Sequence, residues 1–332
     1  MKGIHRIIVQ NKRLRYDFVV RRNLTVIRGD SATGKTTLID MIQEFIDNGN
    51  ASNIELSSDK KCFVLQGATW KGQLTEIRDS IVFIDEGNSF VLTNEFAEVI
   101  RNTDNYYVIV TREGLPNLPY SVEEIYGIRL SGRYGGLKQQ YNEFYRIYGE
   151  DRPGQDIRPD IVITEDSNSG YQFFAGASGS DGPVTVSAEG KSNLLKKSKQ
   201  YGDKECVLLI ADGAAFGPEM GQVMEYMKDH PNIRLYVPES FEWLILSSGV
   251  LKDAEVQDIL SAPAAHIESK DYFSWEQYFT SLLTEKSKGT YLQYTKSRIN
   301  PAYLAGTVKE AILSRMDRIS FMAKASSGED EA

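Results

Sequence analysis

Hydrophobic positions in this chain come in short runs whose period switches between two and 3.6 residues, as strands alternating with helices require. Residues 24–27 (LTVI) form a continuous apolar run that reads as a buried strand. Leu38, Ile39, Ile42, Phe45 and Ile46 then recur on one helical face until Asn48-Gly49 ends the helix. A second buried run, residues 81–84, stops abruptly at Asp85-Glu86, and a third, within NYYVIVTRE at 105–113, stops at Thr111-Arg112. From 135 to 160 the sequence turns polar and aromatic with Gly and Pro near its end, which predicts a linker carrying one short helix at 138–148. Residues 160–183 read as a strand pair with a Gly/Ser-rich loop. Strands then come at 183–188, 205–211 and 233–237, alternating with helices at 191–201, 218–229 and 241–246. Further on, Phe273, Tyr278, Phe279 and Leu282 have helical spacing, and Asn300-Pro301 opens a helix with Leu304, Val308, Ile312 and Ile319 on one face. The pattern predicts an α/β protein with parallel sheets in two domains, residues 1–134 and 161–325. A linker at 135–160 joins them, and an acidic tail occupies 326–332.

Composition narrows the class. At 332 residues, 41% hydrophobic and 25% charged, the chain has ordinary globular content for about two cores. No apolar run approaches the roughly 20 residues that span a bilayer, and the start lacks the apolar stretch of a secretory leader. Two cysteines, Cys62 and Cys206, lie in separate apolar segments, which argues against a disulfide framework or zinc site; a cytoplasmic protein is expected. The net charge of −8 conceals an asymmetry: residues 1–28 carry +7, and the remainder −15. That basic segment is either the solvated side of a hairpin or a surface for a polyanion, while the acidic balance argues against a dedicated sequence-reading DNA binder.

The firmest chemical signal is Gly29-Asp30-Ser31-Ala32-Thr33-Gly34-Lys35-Thr36, a full match to G-x-x-x-x-G-K-[ST] between a predicted strand and helix. Glycines there let backbone N–H groups, through Thr37, turn inward around phosphates at the positive end of the helix. Lys35 is placed to meet the β/γ-phosphates and the Thr36 hydroxyl to ligate Mg²⁺. Asp85 would hold the same ion and Glu86 would polarise the attacking water, with Thr111 and Arg112 as candidates to sense or neutralise the γ-phosphate. Together these residues resemble the P-loop NTPases that carry a catalytic glutamate beside the Walker B aspartate, the AAA/ABC-like division. HRIIVQNKRLRYDFVVRRNLTVIRG also looks like the paired strands that precede the loop in ABC-type ATPases. The resemblance implies a Mg²⁺-dependent ATPase (or GTPase) and a homo-oligomer. One departure weakens the ABC comparison: Leu130-Ser131-Gly132 comes after the Asp85 strand, whereas an ABC signature precedes it.

In the second half, VSAEGKS at 186–192 ends like another phosphate loop. The glycine such a loop needs five positions before Gly190 is Thr185, so that reading fails. An acid instead falls just beyond each predicted strand: Glu189, Asp212 and Glu239, with Glu242 one turn further. Carboxylates gathered at the carboxyl edge of a parallel sheet suit a hard divalent cation. SAEGKSNLL and LLIADGAAFG resemble the E-G and D-x-D motifs of the Toprim fold, found in topoisomerases, primases and OLD-type nucleases, except that Ala214 stands where the second aspartate belongs. The resemblance implies a possible second divalent metal and a nucleic-acid substrate. Acids after strands also cap helices or sit in solvated turns. Interleaved aromatics with Lys286, Lys288, Lys296 and Arg298 suit single-stranded nucleic acid, although helical spacing favours ordinary core. Two functions are compatible with this pattern. One is a nucleotide-driven ATPase controlling a domain that binds or cleaves nucleic acid, as in phage-defence or mobile-element proteins. The other is a nucleotide-gated module whose non-catalytic second domain recruits a protein effector. A small P-loop kinase fits less well, because Asp85-Glu86 suits activation of water.

Overall fold

The computed structural model describes residues 1–29, 34–132, 138–148 and 156–321. The chain divides into two compact units: Met1–Gly149 with Asp258–Tyr278, and Glu150–Gln257 with Phe279–Ala332. Both are mixed α/β, each with its own sheet.

The first unit contains β1 (His5–Gln10), β2 (Leu14–Val20), β3 (Leu24–Ile27), α1 (Lys35–Asn48), β4 (Glu55–Ser57), β5 (Lys61–Val64), α2 (Trp70–Glu76), β6 (Ser80–Ile84), α3 (Asn94–Arg101), β7 (Tyr106–Val110), β8 (Ile125–Leu130) and β9 (Gln140–Arg146). Its nine strands run in the order β4-β1-β2-β9-β8-β3-β7-β6-β5. From β8 to β5 all pairings are parallel. Accordingly β3, β6 and β7 are buried at every position, as a strand covered on both faces must be. β1 and β2 form an antiparallel hairpin with alternating burial, and its turn is fixed by the Asn11 side chain accepting the N–H groups of Arg13 and Leu14 at 2.8 Å each. Leu38, Ile39, Met41 and Ile42 of α1 pack with Ile7, Val9, Phe18, Ile27, Phe83 and Val108 in one core.

Residues 140–146 are a strand rather than the expected helix. β9 pairs antiparallel with β8 and parallel with β2, and Phe144 stacks on Phe18 at 4.2 Å, so sheet closure overrides local preference. The assignment of 161–325 to one domain also needs correction, because residues 258–278 belong to the first unit. Asn23 Nδ2 donates to the Phe273 carbonyl at 2.6 Å, and the Arg22 guanidinium lies 3.6 Å from the centre of the Trp275 ring. Beneath it Glu124, fully buried, faces Arg21 and Arg22 at 3.6 and 3.5 Å. Burial pushes its carboxyl up from the ordinary range, against the pull of both arginines.

The second unit contains β10 (Ile161–Thr164), α4 (Ser169–Ser178), β11 (Val184–Ser187), α5 (Lys191–Ser198), β12 (Val207–Ile210), α6 (Gly217–Asp229), β13 (Ile233–Tyr236), α7 (Phe241–Ser247) and, after α8 (Ala254–Ser261), α9 (Pro263–His266) and α10 (Trp275–Ser287), the helix α11 (Gly306–Leu313). The strand order is β11-β10-β12-β13, parallel throughout. The strand–helix repeat begins one unit earlier than the sequence suggests. Residues 169–178 form α4 rather than part of a strand pair and its loop, because Phe173, Phe174 and Ala177 bury one face of an otherwise Gly/Ser-rich segment against Phe241 and Phe321. The helix expected from Pro301 is split into a 3₁₀ turn at Pro301–Leu304, with Asn300 accepting the Ala302 N–H, and α11. No helix among the described residues is long and apolar enough to cross a membrane. The expected acidic tail at 326–332 lies outside the described residues.

Candidate functional site

In the first unit, chemistry collects at the carboxyl edge of the parallel strands. Gly29 comes after β3 with φ +137°, and Gly34, at φ +89°, precedes α1. Both take backbone conformations that glycine alone adopts without strain. Asp30, Ser31, Ala32 and Thr33 lie outside the described residues. Lys35, 5% exposed, folds back so that Nζ donates to the Gly29 carbonyl at 2.7 Å, placing an ammonium across the base of the loop. Thr36 and Thr37 lie in the first turn of α1. No side chain among the described residues caps the N-terminus of α1, where the first N–H groups and the positive end of the dipole lie. The Tyr16 hydroxyl, raised by burial to about 12, donates to the Gly34 carbonyl at 2.9 Å. A Cβ at Gly34 would meet that hydroxyl at 2.8 Å.

β6 delivers Asp85 and Glu86 and β7 delivers Thr111 and Arg112, and these four line one cleft with Gly87, Asn88, Val91 and Val110. Asn88 pins the turn, accepting the Gly67 N–H at 3.1 Å and donating to the Asp85 carbonyl at 2.9 Å. Burial pushes the Asp85 carboxyl up from its ordinary range, the Glu86 backbone N–H and Lys35 draw it down, and Asp40 and Glu86 add repulsion. Its Oδ1 is buried without a hydrogen-bond partner among the described residues. An ionised oxygen held this way matches a site for a hard cation. Glu86 pairs with Arg112 Nε at 2.6 Å on the open side of the cleft. The Thr111 hydroxyl is engaged by its own loop, accepting the Glu113 N–H and donating to its carbonyl, each at 3.1 Å. Asp40 is the residue that sequence reasoning missed: it sits one helical turn beyond Thr36, a spacing that was available as a signal.

In the second unit the acids do not assemble as expected. Glu189 comes after edge strand β11, and β10 lies between it and the Asp212 strand β12, so the two are about 10 Å apart by strand spacing. Glu189 is exposed, in the left-handed region at φ +58°. The acid that meets Asp212 is Glu165, after β10: its Oε2 accepts the Asp212 N–H at 3.1 Å. The early start of the strand–helix repeat explains why sequence reasoning put Glu189 in that place. Glu239 comes after β13, its carbonyl accepting the Ala214 N–H at 3.1 Å. Glu242, in the first turn of α7, is fully buried; Oε1 accepts from the Tyr294 hydroxyl at 2.6 Å and from Lys296 Nζ at 2.9 Å. Lys296 also lies 3.9 Å from Asp212 Oδ2, while Oδ1 accepts the Phe241 N–H at 3.0 Å. Ala214 is buried and brings no side-chain oxygen. Glu165 Oε2, Asp212 Oδ1 and Glu242 Oε1 are committed to protein donors, and Glu242 Oε2 is buried without a hydrogen-bond partner among the described residues; because an ammonium already faces Asp212 and Glu242, the set fits a divalent cation poorly. Among the described residues no group of three or more His, Cys, Asp or Glu side chains is placed to hold a metal ion. Of the basic residues set among C-terminal aromatics, Lys286 pairs with Asp253 at 3.3 Å and Lys296 with Glu242, while Phe279 and Leu282 are core.

No protein-family model matches this sequence, and no curated protein matches it either.

Proposed function

We propose that the first unit binds and hydrolyses ATP or GTP with Mg²⁺, and that its nucleotide state governs the second unit. One observation carries the reading. Lys35 at the loop base, Asp85 and Glu86 after β6, and Arg112 after β7 converge on one edge of adjacent parallel strands, where ligand sites of open α/β sheets form. Thr36 and Asp85 would hold Mg²⁺, which when bound screens the phosphate charge. Lys35 binds the β/γ-phosphates and Gly29 and Gly34 let the backbone close around them. Glu86 takes the proton of the attacking water, and Arg112 offers positive charge to the phosphoryl oxygens. Thr111, tied to Glu113, orders the loop that presents Arg112.

Lys35→Ala tests this directly. Nucleotide affinity and phosphate release should both collapse, and unchanged values in that variant would end the assignment.

For the second unit, a Toprim-like domain acting on nucleic acid and a non-catalytic module recruiting a protein effector both accommodate a four-stranded parallel sheet. The lysine facing Asp212 and Glu242 favours the module. Incubating the purified chain with single- and double-stranded DNA and RNA in Mn²⁺ separates the two, with cleavage supporting the first.

A further inference from the structure

At the carboxyl edge of the second sheet, a chain of polar contacts runs inward. The Ser169 hydroxyl, fully buried, meets the Tyr294 hydroxyl at 2.6 Å; Tyr294 donates to Glu242; Glu242 pairs with Lys296, which reaches Asp212; and the Asp212 backbone donates to Glu165. Elements far apart in sequence, α4, β12, α7 and the segment at 294–296, are thereby tied through a single positive charge. Glu242 needs that charge. Burial pushes its carboxyl up, but Lys296 and the Tyr294 hydroxyl together more than reverse this and hold it below the usual carboxylate range. A fully buried carboxylate with no counter-charge would otherwise take up a proton.

We infer that Lys296 is the resident cation of this site, its ammonium occupying the role a divalent ion would have between Asp212 and Glu242, so that the second unit is held by an internal salt bridge and binds no metal there. The geometry supports this from both sides. Lys296 Nζ is within hydrogen-bond distance of Glu242 and within ion-pair distance of Asp212. A Mg²⁺ bound to Asp212 would need octahedral oxygens at about 2.1 Å, and it would have to sit beside that ammonium. The buried methyl of Ala214 offers it nothing. The inference does not depend on nucleotide hydrolysis in the first unit.

The test uses the full nucleotide-free chain, with Mn²⁺ as the probe. Wild type and Asp212→Asn should bind the same number of Mn²⁺ ions at millimolar concentration. Lys296→Met should melt on the order of 5–10 °C lower, because it leaves carboxylates without their counter-charge. Neutralising those carboxylates in the same background (Lys296→Met with Asp212→Asn and Glu242→Gln) should recover most of the loss. An Asp212-dependent Mn²⁺ site in wild type, or a Lys296→Met variant that melts like wild type, would overturn the inference. If Lys296→Met alone gives no soluble protein, the triple variant decides: a folded triple variant supports the resident cation, and an unfolded one refutes it.

Discussion

Replacing Asp85 by asparagine should stabilise the nucleotide-free protein while abolishing the stabilisation it gains from Mg-nucleotide. Burial and the neighbouring Asp40 and Glu86 raise the Asp85 carboxyl, so the folded state binds its proton more tightly than the unfolded chain. Linkage fixes the sign: the penalty is absent below the ordinary carboxylate range and is fully developed once pH has risen through the folded pKa. An amide keeps an oxygen in place and removes the charge. The removed charge is the one that burial and the neighbouring carboxylates penalise, so the variant gains stability in the direction that linkage sets. Thermal unfolding without nucleotide should show the variant above wild type at pH 8, with the gap shrinking as pH is lowered through the raised folded pKa toward the ordinary carboxylate range. Adding Mg-ATP at a hundred times its Kd should stabilise wild type by about 2.7 kcal/mol and the variant much less. A variant that melts below wild type at pH 8, or that keeps the full Mg-ATP increment, would refute the placement of Asp85 as the strained metal carboxylate.

Two other variants probe the remaining contacts. Glu86→Gln should retain nucleotide in equilibrium binding while phosphate release slows by about 10²–10⁴-fold, since an amide cannot take the proton of water. Tyr294→Phe removes the hydroxyl between the buried Ser169 and Glu242, and should cost about 1–3 kcal/mol in chemical denaturation of the second unit.

The residues that carry the first site were readable because each lies at the end of an uninterrupted apolar run. Leu24–Ile27, Ser80–Ile84 and Tyr106–Val110 are buried on both faces, so hydrophobicity alone marks them, and the residues just past each run necessarily sit at the sheet edge. What composition could not convey was partnership. β9 reads as a polar helix because its burial is incomplete and depends on β2 and β8. α4 reads as part of a strand pair and its loop because Ser, Gly and Ala dominate it and two phenylalanines do the packing. With α4 unread, no strand-to-helix junction marked Glu165 after β10, and Glu189 stood as the first acid of the series. The Lys296 contact to Asp212 and Glu242 joins positions distant in sequence, and no local period encodes it.

The return of residues 258–278 to the first unit has a consequence for biosynthesis. The chain emerges from the ribosome in order, so Arg22 and Asn23 wait for Trp275 and Phe273 until every strand of the second sheet has already been made. At about 5–20 residues per second, the roughly 250 residues between them take about 13–50 seconds to make. During that time the earliest-made unit holds the buried Arg22 without its aromatic cover, while the four strands of the second sheet are already available to pair. Neither unit is completed as one continuous stretch, since the first waits for residues 258–278 and the second for the segment from 279 onward, and a fragment ending near residue 150 would lack the cover that 258–278 supplies to the first.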